Sequence, residues 1–226
     1  MQTVREQCGV VPEHKVPEYQ PPKRKPAYEF FKRLFDVVLS VSALVVLSPL
    51  LLVISILIKA EDGGKVIYKQ TRLTKGGKPF EMYKFRSMCP DADKKLEQLM
   101  DRNEMKGPAF KISDDPRITK IGKFIRRKSI DELPQLVNII RGDMSIIGPR
   151  PPLIREVEQY TPYQLHRLDV KTGLACYHEC YGRSNSRDFD EWVEHDLKYI
   201  RERSLWTDLK IILMTIRVVL TGRGAV

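Results

Sequence analysis

The chain is poor in cysteine: four among 226 residues, Cys8, Cys89, Cys176 and Cys180, too few and too scattered for a disulfide scaffold. That favours a reducing compartment and cytoplasmic exposure. Only Cys176, His178 and Cys180 cluster, and no second pair at metal-like spacing supplies the fourth ligand a structural zinc requires, so buried or idle thiols are the simpler account. A glycine-rich Walker pattern is also missing. Gly76-Gly77-Lys78 sits between two strand-like segments rather than between a strand and a helix, which argues against ATP. Acidic residues are in the minority, 29 against 39 basic, for a formal charge of +10. Such an excess points to an anionic partner: nucleic acid, anionic lipid or a phosphorylated substrate. The length suits one domain with tails and an anchor.

What the chain does have is an almost unbroken apolar run from Leu34 to Ile58. As a straight helix it would reach about 37 Å, against a bilayer core of roughly 30 Å. The run is too long for a cleaved signal peptide and apolar on too many faces for a core helix. Within it, Pro49 removes a backbone hydrogen bond and crowds the Val45 carbonyl, so Ser48-Pro49 predicts a break in the membrane helix. Lys32 and Arg33 precede the run, and Lys59 and Lys65 follow it, which places both ends on the cytoplasmic side. A bent helix that enters and leaves one leaflet satisfies both features. A spanning helix that tolerates its proline remains the alternative.

The expected layout is a flexible proline-rich tail (1–28), a membrane segment (29–60) and a catalytic domain (61–226). Val66 to Leu73 and Pro79 to Met88 read as a β-hairpin joined by Thr74-Lys75-Gly76-Gly77-Lys78, with Lys84 and Arg86 on one face and Tyr83 and Phe85 on the other. Those two cations are either solvated or aimed at a phosphate. Residues 91–103 are helix-prone, and Asp114-Asp115-Pro116 makes a turn before a basic amphipathic helix over Arg117 to Lys128. Asp188 to Arg203 reads as a charged amphipathic helix. Leu205 to Leu220 reads as an apolar one that lies in the headgroup region or packs on the core. The fold class is therefore α+β and membrane-associated, with a small hairpin and a helical catalytic domain.

Asp131-Glu132 is the candidate catalytic pair. Pro134 fits only the first turn of a helix over Leu133 to Ile140, so the helix start falls near Asp131, as cap or first-turn residue. A capping box from Ser129 to Glu132 would put Pro134 where a helical hydrogen bond is needed. At that helix end the dipole keeps Asp131 ionised at neutral pH, the right form for a nucleophile or a magnesium ligand. Acidic residues at helix starts are commonly caps and nothing more. The surroundings favour chemistry: Arg150 is fixed between prolines in Gly148-Pro149-Arg150-Pro151-Pro152, and Arg126, Arg183, Lys84 and Arg86 add cations enough to neutralise a diphosphate. A carboxylate attacking a phosphate anion implies Mg2+ to screen the repulsion.

Several motifs, in order, resemble the bacterial sugar transferase family, the monotopic polyprenyl-phosphate phosphoglycosyl transferases. They are Lys32-Arg33-Leu34-Phe35-Asp36, Ser48-Pro49, Tyr83-Lys84-Phe85-Arg86-Ser87-Met88, Asp115-Pro116-Arg117-Ile118-Thr119, Asp131-Glu132-Leu133-Pro134-Gln135, Gly142-Asp143-Met144-Ser145 and Gly148-Pro149-Arg150-Pro151. The likeness runs from about Phe31 to Leu220. It implies transfer of a phospho-sugar from a UDP-sugar to undecaprenyl phosphate with release of UMP, initiating glycoconjugate or exopolysaccharide assembly ahead of downstream glycosyltransferases. It further implies that Asp131 attacks the β-phosphate to form a covalent intermediate, that Glu132 is its dyad partner, and that magnesium assists. Arg126 and Arg150 would bind phosphate, the Ser48-Pro49 helix would be re-entrant, and the enzyme would sit at the cytoplasmic face of the bacterial inner membrane among membrane lipids.

One stretch departs from the family pattern: Leu174-Ala175-Cys176-Tyr177-His178-Glu179-Cys180-Tyr181 replaces a small, amide-rich segment before Gly182-Arg183. Sugar identity is open for that reason. The alternatives are a glycosyltransferase that releases UDP and a non-catalytic basic membrane-surface scaffold, which has no need of an acidic pair beside arginines. Nucleic-acid binding accounts for the charge but not for the apolar run.

Overall fold

The computed structural model describes residues 19, 21–104, 107–108, 112, 114–182 and 188–221. Arg183 and most of the expected tail, residues 1–18 and 20, lie outside the described residues.

The apolar run forms the body of one 37-residue helix, α1 (Pro26–Asp62). It begins with Pro26, whose missing N–H has no helical partner to lose in a first turn. It ends at Gly63, left-handed at φ 71°, whose N–H returns to the Lys59 carbonyl. Pro49 deprives the Val45 carbonyl of its helical donor, and the Ser48 hydroxyl takes that place at 2.8 Å. The Ser-Pro pair carries its own repair.

A hairpin follows: β1 (Ile67–Thr74) and β2 (Lys78–Phe85) pair antiparallel with Ile67 opposite Phe85, across a tight turn at Lys75–Gly77. Gly76 and Gly77 both take positive φ there, at 69° and 71°. β2 ends at Phe85, but the Arg86 N–H still donates to the Val66 carbonyl, and Lys84 and Arg86 reach one cleft. On the same face of β2 as Lys84, Phe80 and Met82 are buried. The next helices are α2 (Ala92–Leu96) and α3 (Lys120–Arg127). The latter is shorter than expected because Asp115 accepts from both the backbone N–H and the guanidinium of Arg117, holding that segment in a turn.

The chain continues through α4 (Gln135–Arg141), β3 (Ser145–Ile147), α5 (Ile154–Val157), α6 (Pro162–Leu165), β4 (Gly173–Ala175), α7 (Tyr177–Gly182), α8 (Phe189–Glu202) and α9 (Leu205–Thr221). β3 and β4 pair in parallel, a contact too short to leave a period in the sequence. Beside them Gly148 and Gly173 meet backbone to backbone: a Cβ on Gly173 would stand 2.1 Å from the Gly148 nitrogen.

Asp36, Ser40, Ile54 and Ile58 are buried along α1, with Ala43, Leu44 and Leu51 half-buried between them in one stripe of helical spacing. The opposite face stays open: Val45, Val46 and Leu52 are 68%, 75% and 63% exposed. Both ends of α1 dock on the same body. Near the start, Arg33 donates to the Ile139 and Ile140 carbonyls at 2.6 and 2.8 Å, and Asp36 accepts from the Ile146 N–H. At the far end, Glu61 accepts from the Lys120 N–H at 2.9 Å, while Ile54 and Ile58 pack with Phe85 and Ile125. α9 packs on the core along one face and leaves the other open. Ile211 is buried on the core, whereas Trp206 and Leu213 are 74% and 60% exposed.

Candidate active site

After α3 the chain turns through Ser129, which takes φ 54°, and enters a 3-10 turn at Ile130–Glu132. The Leu133 N–H closes that turn on the Ile130 carbonyl, and Pro134 becomes the N-cap of α4. This corrects the expected helix start. Asp131 is neither cap nor first-turn residue of α4, but sits one short turn ahead of it, and the Ser129 side chain makes no capping bond. The helix-end field therefore does not govern Asp131. Burial does: the residue is 9% exposed and its carboxyl is pushed up to about 6. Loss of hydration is the largest cause, the ammonium of Lys84 opposes it, and the like charge of Glu132 adds to it. At neutral pH the carboxylate is still mostly ionised.

Two devices bring β2 against this turn. Asn138, fully buried on α4, accepts from the Tyr83 N–H and donates to the Glu81 carbonyl, bridging the outer edge of the strand. Lys84 then reaches Glu132 at 2.7 Å. Of the two expectations for Lys84, solvated or aimed at a phosphate, the first gives way: it is held in an ion pair within the acidic site.

Asp131, Lys84, Arg86, Arg126 and Arg150 all line one cleft of about 280 Å³. Of the expected phosphate binders described, none lies elsewhere. Their states differ. Arg86 pairs with Asp62 and Lys84 with Glu132. Among the described residues Arg126 and Arg150 make no ion pair and no side-chain hydrogen bond, and the Arg150 guanidinium lies 5.1 Å over the Trp192 ring. The rigidity expected of the Arg150 loop has a concrete basis. Arg72 and Leu73 donate to the Pro151 and Pro152 carbonyls from one side, and Gly173 donates to the Pro149 carbonyl from the other.

Sequence reasoning missed Arg72, Arg117 and Arg155, which line the same cleft. Arg72 is buried, and burial together with the charge of Arg150 lowers its pKa to about 10. Arg117 is occupied by Asp115. Arg72 carried no signal beyond an arginine in a strand, whereas Arg117 stands in the Asp115-Pro116-Arg117-Ile118-Thr119 motif. The departing stretch also reaches the site, since Cys176 lines a small crevice with Lys84, Glu132 and Arg150. His178 faces His195, Nδ1 to Nδ1 at 3.1 Å.

No group of three or more potential metal ligands exists among the described residues. The hard oxygens of Asp131 and Glu132 nonetheless fit magnesium of the kind held by one or two carboxylates plus substrate phosphates and water. Asp131 would be the protein ligand, and the ion would supply charge neutralisation at a phosphate.

Residues 27–222 match the family described as bacterial sugar transferase. The galactosyl transferase CpsE of Streptococcus agalactiae serotype III is 52% identical over 165 residues, covering 73% of this chain and 37% of that protein. The undecaprenyl-phosphate galactose phosphotransferase of Salmonella typhimurium is 39% identical, covering 89% and 43%. The exopolysaccharide production protein ExoY of Sinorhizobium fredii is 39% identical, covering 86% and 87%. The chain thus spans less than half of the first two and most of the third. It belongs to the bacterial sugar transferase family.

Proposed function

We propose that the chain transfers a sugar 1-phosphate from a UDP-sugar to undecaprenyl phosphate at the cytoplasmic face of the bacterial inner membrane, with Mg2+, opening a polysaccharide or glycoconjugate pathway. The observation that carries this is the cleft itself: a buried, mostly ionised Asp131 shares it with Arg126 and Arg150, two guanidiniums that make no ion pair and no side-chain hydrogen bond among the described residues. That arrangement suits a diphosphate placed for attack by a carboxylate.

In the first step an Asp131 oxygen attacks the β-phosphorus. The bond from that phosphorus to the bridging oxygen breaks, and UMP leaves with the electron pair. In the second, a phosphate oxygen of the acceptor attacks the same phosphorus and frees the Asp131 carboxylate. Arg126 and Arg150 bind and orient the diphosphate, and Lys84 holds Glu132 beside Asp131 so that the two carboxylates do not repel unchecked. On the other side of Glu132 an apolar groove of about 360 Å³ runs between Leu133, Ile146, Leu174 and the α9 residues Ile212 and Ile216, with Lys128 at its rim. It offers the isoprenoid chain a wall that ends at the acidic pair.

The membrane mode follows from α1. A spanning helix separates its ends by the roughly 30 Å of the bilayer core. Here one body holds Arg33 and Asp36 at one end and Ile58 and Glu61 at the other. This supports a helix that lies in one leaflet with Val45, Val46 and Leu52 toward lipid, the re-entrant or monotopic mode.

The test incubates detergent-purified chain with Mg2+, undecaprenyl phosphate and a panel of UDP-sugars, and identifies the nucleotide released. UMP is expected, together with a phospho-sugar adduct on Asp131 when acceptor is withheld. Release of UDP would falsify the phospho-transfer assignment.

A further inference from the structure

We propose that a second cavity, at the start of α1 and outside the Asp131 cleft, binds the phosphate group of an anionic membrane-lipid headgroup. The cavity holds about 230 Å³ between the first turns of α1, the hairpin turn, β3 and the end of α8. Its lining carries five basic residues, Lys32, Arg33, Lys75, Lys171 and Arg203, against the two acids Glu29 and Asp36.

Two of the lining residues are buried and hold polar atoms with no hydrogen-bond partner: Ser145, 1% exposed, at its Oγ, and Arg203, 6% exposed, at its Nη1. Native interiors leave few such groups unpaired, and two donors in one cavity are what an anion with several oxygens would satisfy. The surplus charge is real. Lys32 is taken by Asp208 at 2.9 Å, Arg33 by two carbonyls, and the other terminal nitrogen of Arg203 by the Lys23 carbonyl and, at 3.5 Å, by Glu29, so the charge left over is that of Lys75 and Lys171. Lys75 and Lys171 make no ion pair and no side-chain hydrogen bond among the described residues. Burial and the neighbouring Arg33 lower the pKa of Lys171, a crowding of positive charge that a bound anion relieves.

A lipid is the source favoured by the elements that wall the cavity. Phe30, Phe31 and Phe35, on other faces of the same first turns of α1, are 67%, 47% and 52% exposed, and Trp206, on the helix after Arg203, is 74% exposed. Exposed aromatics on the elements that carry a cationic cavity suit a headgroup at a bilayer interface. The same assignment accounts for two motifs the catalytic cleft leaves unused. Lys32, Arg33, Asp36 and Ser145 line this cavity, and none of them lines the cleft.

The test measures lipid retained by the detergent-purified full chain in native mass spectrometry, with dioleoyl phosphatidylglycerol or dioleoyl phosphatidylcholine added. One phosphatidylglycerol is expected per chain, held in preference to phosphatidylcholine. Lys75→Gln combined with Lys171→Gln, at the two side chains with no ion pair or hydrogen bond among the described residues, should weaken retention about tenfold. Ser145→Ala should weaken it without lowering Tm, because its hydroxyl has no protein partner to lose. Displacement of the lipid by millimolar inorganic phosphate supports recognition of the phosphate group. Equal retention by wild type and these variants, or no preference over phosphatidylcholine, overturns the site. Phosphate binding without lipid retention overturns the lipid source.

Discussion

Lys84 and Glu132 meet at 2.7 Å across the seam between β2 and the turn that carries Asp131. The ammonium offsets part of what burial and the Glu132 charge do to the Asp131 carboxyl, which stands at about 6. Protonated Asp131 is no nucleophile, so kcat/KM should fall as pH drops through about 6. Lys84→Gln removes the opposing charge and should move that acid limb to higher pH. Initial rates of UMP release over roughly pH 5 to 8 read it directly. A limb that stays in place in the variant removes Lys84 from this role.

The same burial makes Asp131 a cost to the fold. Its folded pKa, about 6, lies above the ordinary carboxylate value of 3.8, so the folded chain binds the proton more tightly than the unfolded chain does. Stability is then highest below about pH 4, falls as pH rises to about 6, and stays lower above. Asp131→Asn should abolish turnover and also stabilise the protein at pH 7 by about 1–3 kcal/mol, a rise in Tm of several degrees. Thermal unfolding of both forms at pH 5 and pH 7 is the measurement. An Asn variant less stable than wild type at pH 7 contradicts the assigned cause of the shift.

How much of this was legible beforehand depended on the range of the contact involved. The hairpin, the apolar helix and α8 announce themselves by period and by turn residues within a dozen positions. The convergence of Asp131, Arg126 and Arg150 was readable as chemistry, because each carries charge suited to a phosphate. The local form at Asp131 was not. Pro134 is compatible both with a helix beginning at Asp131 and with a 3-10 turn followed by a later helix, and the local residues alone do not choose between them. Arg72 and the β3–β4 pair escaped for a similar reason: their partners, Pro151 and residues 173–175, lie far along the chain.

Arg33 shows what one such long-range contact is worth. It closes the C-terminal end of α4 by donating to the Ile139 and Ile140 carbonyls, and so ties the anchor helix to the helix that follows the acidic pair. Charge-assisted bonds to two carbonyls at a helix C-terminus are each worth roughly 1–2 kcal/mol when partly buried. Arg33→Gln should destabilise the chain by about that much and more than Lys32→Gln does, since Lys32 makes a single ion pair with Asp208. Denaturation in matched detergent compares the two; equal losses would deny α4 this support.

Behind Arg150 stands a stack of groups that never touch the cleft. Asp196, fully buried, holds Arg167 at 2.7 Å; Arg167 lies 5.9 Å over the Trp192 ring, and Trp192 in turn underlies Arg150 at 5.1 Å. Trp192 is therefore placed to position Arg150, the arginine proposed to bind phosphate. Trp192→Leu removes the aromatic face and should raise KM for the nucleotide sugar about three- to tenfold, with the acid limb of the pH profile unmoved and a smaller effect on kcat. Trp192→Phe keeps a ring and should recover most of that loss. Asp196→Ala serves as the structural contrast. It strands the buried Arg167 charge and should lower stability by about 3–5 kcal/mol, visible as a fall in Tm before any kinetic effect is read. If Trp192→Leu lowers Tm as Asp196→Ala does and leaves KM unchanged, the ring is packing for the core and Arg150 orients without it.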